Sequence, residues 1–122
     1  MKNNDRIDLF RQYEGYNYPS TETIVSKYNT YVYIPINVEK IPLEDGQILY
    51  KWEYIDLKSE NYNYKGLIEA LIWRKYDLSD TIAIMMNYTA EPDNIKYQNE
   101  FEDLQNYRKE IKAFAKKHFE MN

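Results

Sequence analysis

Chemistry has few places to start in this sequence, and His118 is the first of them. It is the sole histidine, and the chain holds no cysteine. A zinc site needs several nitrogen, sulfur or carboxylate ligands. A nucleophilic triad needs a base, a nucleophile and an orienting acid. His118 falls near the end of a helical pattern, where the dipole favours a partly charged imidazole. The reading that fits is a terminal helix residue with no catalytic part. Without cysteine there are no disulfides, thiolate nucleophiles or iron–sulfur clusters. That absence leaves the compartment open.

Carboxylate groupings come next: Glu44 with Asp45, Asp77 with Asp80, and Glu100 with Glu102 and Asp103. Glycosidases hold two carboxyls across a cleft, usually from separate elements. Here the first pair sits in a turn and the second at a helix start. The third occupies the first turns of a helix. Capping and the helix dipole account for the last two. None matches the calcium-loop spacing. Gly15, Gly46 and Gly66 are too scattered for a phosphate-cradling loop. No metal or cofactor is expected. Were the chain an enzyme after all, Arg74, Asp77, Asp80 and Arg108 would be the first residues to test.

Aromatic residues are the one excess, with 14 tyrosines and two tryptophans among 122 residues. Single-strand nucleic-acid binders stack bases on rings lining a basic groove. Tyr31, Tyr33, Tyr50, Trp52 and Tyr54 supply rings, but Lys51 and Glu53 beside them cancel. The net charge is -4, and a phosphate-binding protein usually carries a basic excess. Nucleic acid is therefore not the expected partner. Lys109, Lys112, Lys116 and Lys117 read as a solvated face. Tyrosine is enriched at protein interfaces. Tyr13, Tyr16, Tyr18, Tyr31 and Tyr33 are accordingly the candidate interaction surface.

Residues 1–122 are expected to form a single domain, long enough to fold without a staple. The mean hydropathy of -0.81 understates the core, because tyrosine scores as polar yet buries well. The longest apolar runs, Ile82–Met86 and Leu67–Trp73, fall short of the ~20 residues of a membrane span. No apolar run follows Met1–Asp8, so no secretory signal is expected. The expected location is cytoplasmic or virion-associated.

The chain divides into three stretches. Residues 1–20 are polar and tyrosine-rich, and 5–13 reads as a short helix ended by Gly15 and Pro19. Residues 21–58 read as strand. Val32, Ile34, Ile36 and Val38 share one face, and Tyr31, Tyr33 and Pro35 the other. Pro35 marks an edge or a change of partner. Pro42 to Gly46 is a turn signal. Beyond it Ile48, Tyr50, Trp52 and Tyr54 alternate with Leu49, Lys51, Glu53 and Ile55. The two strands form an antiparallel hairpin with a long, irregular loop.

Residues 59–122 read as about three helices. Tyr64, Leu67, Ile68, Leu71, Ile72 and Tyr76 mark one helical face, capped by Asn61 or Asn63. Asp77 or Ser79 caps a second helix that ends before Pro92. A third starts near Asp93 or Asn94, with Tyr97, Phe101, Leu104, Ile111 and Ala115 as its stripe. Strands followed by helices give an α+β class, a small antiparallel sheet or hairpin packed against about three C-terminal helices. The expected core is Ile34, Ile36, Trp52, Tyr54, Leu67, Ile68, Leu71, Ile72, Ile82, Met86, Phe101, Leu104 and Ile111.

The run Tyr64 to Asp80, continuing into Ile82-Ala83-Ile84 and Asn87, with Tyr107-Arg108-Lys109 beyond it, resembles small proteins of bacteriophages and prophages, especially from gut bacteria. The likeness spans roughly residues 50–117. It is a helix-packing pattern and carries no catalytic residue. It implies a phage-related accessory or virion-associated protein. The expected function is therefore a non-enzymatic protein-interaction module, acting on a protein partner or on a second copy of itself. The alternative is a small counter-defence-type protein that binds a host protein, nucleotide or nucleic acid.

Overall fold

The computed structural model describes residues 11–121. The class is α+β: a four-stranded antiparallel sheet, then three α-helices. The chain divides into two compact units, Met1–Tyr62 and Asn63–Asn122.

In the first unit the strands are β1 (Tyr13–Gly15), β2 (Glu22–Val25), β3 (Thr30–Pro42) and β4 (Ile48–Lys58), in the order β1-β4-β3-β2. The expected β3–β4 hairpin is present, but its loop is short. β3 runs on to Pro42, and a tight turn closes the pair. There the Leu43 amide donates to the Gln47 carbonyl (2.8 Å) and the Gly46 amide to the Leu43 carbonyl (3.1 Å). Gly46 has a φ of 85°, a backbone conformation that glycine adopts without steric cost. Asp45 closes the turn by accepting from the Gln47 amide at 3.0 Å. Pro35 lies just past the last β2 pair, Glu22 with Tyr33, where β3 no longer pairs with β2 and its missing N–H costs no ladder hydrogen bond on that side.

A bulge reorganises β3. Ile36 pairs with Glu53, and the next pair is Glu39 with Lys51, so Asn37 and Val38 together oppose one residue. Asn37 takes the left-handed turn (φ 53°), which asparagine tolerates, and its amide donates to Glu53 at 3.2 Å. The extra residue moves Val38 off the face of Val32, Ile34 and Ile36, contrary to the alternation.

The register sorts the side chains into two faces. Ile34 lies opposite Ile55 and Val32 opposite Leu57, giving an aliphatic face. Tyr54 lies opposite Pro35 and Trp52 opposite Tyr13, giving an aromatic one. Rings interlock there: Tyr54 meets Tyr33 at 6.3 Å and 90°, Trp52 at 6.4 Å and 88°, and Tyr13 at 5.2 Å and 71°. Edge-to-face pairs of this kind suit the ring quadrupole. Val32 to Ile36 are buried without a break, so both faces are shielded at the centre of β3. Tyr13 begins a strand, not the end of a helix, because it completes this ring cluster. The rest of the expected helix, residues 5–10, lies outside the described residues.

The second unit holds α1 (Tyr64–Lys75), α2 (Leu78–Ala90) and α3 (Ile95–Met121). Asn63 caps α1 by accepting from the Gly66 amide at 2.8 Å, and Asp77 caps α2 through the Asp80 amide at 2.8 Å. Asn94 accepts from the Tyr97 amide at the start of α3 (3.3 Å). α1 and α2 both pack on α3. Among the described residues of this unit, the buried ones are Leu67, Leu71, Leu104, Ile111 and Ala115. Two core assignments fail: Ile82 is 47% exposed and Met86 66% exposed. Trp52, Ile68, Ile72 and Phe101 are half-buried. Tyr33, Val32, Ile55, Leu57 and Ala115 join the core instead.

Candidate interaction surface

α2 meets α3 along one side. Tyr88 stacks on Phe101 with centroids 4.3 Å apart and planes 13° from parallel, and Thr81, Ile84 and Asn87 lie half-buried. The rest of the helix surface faces solvent. At 100° per residue, Leu78, Ile82, Met85 and Met86 fall in one row, flanked by Ser79, Ala83, Thr89 and Ala90. All eight are exposed, and none carries a charge. No residue of α2 is buried. Met85, Met86, Thr89 and Ala90 line an open depression of about 290 Å³. An uncharged helix face in water is unusual, because solvent-facing sides of helices are normally charged.

The tyrosine candidates separate. Tyr33 is fully buried and offers no surface, a correction that follows from its place in the ring cluster. Tyr13 and Tyr31 are half-buried. Tyr16 and Tyr18 are exposed (64% and 66%), and Tyr18 leans on Tyr50 at 5.4 Å. Tyr28 and Val25 are exposed too, but they belong to the β2 side of the sheet and β1 to the opposite edge. The exposed rings of the sheet therefore do not form one patch. The α2 row does.

The α2 face was read from sequence as core, yet its signal is visible. From Leu78 to Ala90 apolar residues occur all round the helix, and the last charge is Asp80. That is more apolar surface than packing on one neighbour requires.

Among the described residues, no three histidine, cysteine or carboxylate groups lie close enough to hold a metal ion. Asp77 is engaged as a cap and Asp45 in its turn. His118 stacks on Phe114 (6.4 Å, 16°) and meets Phe119 edge-on at 5.0 Å. Burial there pulls its pKa below the usual 6.5, so desolvation prevails over the charged imidazole expected at a helix end. The Trp52 indole N–H is buried and meets no acceptor among the described residues, a cost borne by the ring cluster.

Arg74 lies close enough to Tyr107 to act on it electrostatically. Tyr107 joins α3 to α1: its hydroxyl donates to the Leu71 carbonyl at 2.9 Å. Lys75 sits over its ring at 4.6 Å, and Tyr76 lies 5.7 Å away. Burial raises the Tyr107 pKa above 10.0, outweighing Arg74, with Tyr76 and Glu110 adding to the rise. A raised folded pKa gives stability that is whole below the unfolded value and is lost as pH climbs through the folded one. Tyr107→Phe removes the hydroxyl, and is expected to cost about 0.5–1.5 kcal/mol at neutral pH. The gap from the parent should close in urea melts run well above pH 10. A gap that persists there would show that the hydroxyl was not responsible.

No known family model, curated protein or solved structure matches this chain. Among the described residues no helix is long and apolar enough to cross a membrane.

Proposed function

We propose that this chain is a non-enzymatic protein-interaction module, and that the open face of α2 is its contact surface. The observation that carries this reading is the row Leu78, Ile82, Met85 and Met86, exposed between 44% and 66% and free of charge. Apolar rows left in water favour association, since covering them gains about 25 cal/mol per Å² of apolar area. Methionine suits such a surface because its flexible thioether adapts to the shape it meets. The phage-related accessory setting rests on the sequence resemblance over residues 64–87 and 107–109.

A contact surface and a misplaced core respond differently to polar substitution. Ile82→Ser with Met86→Ser is expected to leave the melting temperature and the urea midpoint nearly unchanged, because exposed positions usually shift stability by about 0.5 kcal/mol or less. The doubly substituted chain should also bind less of a dye that reports exposed apolar surface. A large loss of stability would assign these residues to the core and remove the surface.

A further inference from the structure

Backbone groups at the edge of the sheet carry a recognition pattern of their own. Where the β2–β3 hairpin turns, the Ser26 amide donates to the Asn29 carbonyl at 2.8 Å. Hydrogen-bonded and open pairs alternate along an antiparallel ladder. Counting back from Ser26, Ile24 and Glu22 turn their backbone groups toward Tyr31 and Tyr33 of β3. Thr23 and Val25 therefore turn theirs outward, and among the described residues no strand pairs with β2 on that side.

The same count carried along β3 points Pro35 to that side of the sheet, just past the end of β2. Beyond the bulge the Leu43 amide donates to the Gln47 carbonyl, so Lys40 and Pro42 point there too. Two prolines without an N–H, a bulge and a lysine keep foreign strands from adding to an edge. β2, though short, has none of these. Its residues are Glu22, Thr23, Ile24 and Val25, and all but Glu22 are β-branched. Glu22, Thr23 and Val25 are exposed.

The order of residues selects the strand that fits. Thr21, just ahead of β2, and Val25 stand at equal distances either side of Thr23. A second copy laid antiparallel, with the twofold axis at Thr23, sets Thr23 against Thr23 of the partner subunit. Thr21 then meets the partner subunit's Val25. Each outward-turned residue faces another, and such pairs exchange N–H···O bonds. β-branched side chains oppose β-branched ones, a favourable cross-strand pairing. Glu22 is the one charge on β2, and it falls opposite Ile24 of the partner subunit and not opposite its own copy. Pairing of one patch with itself is the geometry of twofold dimers.

We infer that β2 is a self-docking edge, where two copies of this chain join antiparallel about Thr23 into one continuous sheet. The inference is independent of the α2 face.

Light scattering on the full chain over a concentration series is expected to show a monomer–dimer equilibrium. Thr23→Pro removes only an outward N–H and leaves the β2–β3 hydrogen bonds in place. It should raise the dimer dissociation constant about tenfold or more. Thr23→Lys sets two ammonium groups against each other and should do the same without constraining the backbone. The chain has no cysteine, so Thr23→Cys supplies its one thiol. Hydrogen-bonded pairs hold their Cα atoms about 5.5 Å apart, within reach of a disulfide. Mild oxidation should link Thr23→Cys into a covalent dimer faster than Glu44→Cys, on the exposed β3–β4 turn. The mass of a single chain at every concentration overturns the inference. So does a dimer that survives both Thr23→Pro and Thr23→Lys, or equal crosslinking of the two thiols. A dimer dissociated instead by Ile82→Ser with Met86→Ser overturns it too, and assigns self-association to the α2 face.

Discussion

Leu104→Ala is expected to lower the unfolding free energy by about 2–5 kcal/mol, the range for deleting a buried leucine side chain. Leu104 is fully buried in the middle of α3, the helix on which both α1 and α2 pack. Few residues share its task. The buried set of the helical unit is Leu67, Leu71, Leu104, Ile111 and Ala115, and one of these is already an alanine. Small domains have only about 5–15 kcal/mol of net stability, so the substitution removes a large fraction of it. The readout is the urea midpoint at unchanged slope, with Leu78→Ala as the exposed comparison. Should the two variants melt alike, Leu104 is not where the packing energy lies.

The ring cluster of the sheet gives the second large effect. Tyr33→Ala removes a fully buried ring set 6.5 Å from Tyr31 and perpendicular to Tyr54. A loss of about 3–5 kcal/mol follows from the cavity and the forfeited ring contacts, by the precedent of other buried aromatics. Tyr33→Phe keeps the ring and should recover most of that loss. If Tyr33→Phe proves as damaging as Tyr33→Ala in the same denaturant series, the hydroxyl and not the ring holds the cluster. Surface placement of Tyr33, as its residue type alone suggested, predicts no effect from either.

The contrast at Tyr33 shows what could be read from the chain and what could not. Strict alternation over Ile48 to Ile55 assigned both faces of β4 correctly, because that strand has no irregularity. β3 has the same kind of pattern, but the bulge at Asn37 inverts it. Asparagine tolerates the left-handed backbone without advertising it as glycine would. β1 and β2 span three and four residues, too few for a period to register. Helix starts were legible because Asn63, Asp77 and Asn94 have the short acceptors that caps use. Tyrosine is the ambiguous letter: Tyr16 and Tyr33 are the same residue type with opposite exposure. The α2 row was misassigned for a related reason. Periodicity reports an apolar face but not whether anything covers it, and here α3 covers only the Tyr88 side.

That one-sided attachment has a consequence for how the helical unit breathes. Detaching α2 from α3 exposes the Tyr88–Phe101 stack and a few half-buried side chains, but no fully buried residue of α2 itself. α1, by contrast, is held through buried Leu67 and Leu71 and through the Tyr107 hydrogen bond. Backbone amides exchange with solvent through the least costly opening available to them. The amides of α2 are therefore expected to exchange for deuterium through a partial opening and before those of α1, which hydrogen exchange read by mass spectrometry would check. A helix loosely held in this way can change its tilt at little cost, which makes the weakest-held element the most adaptable one.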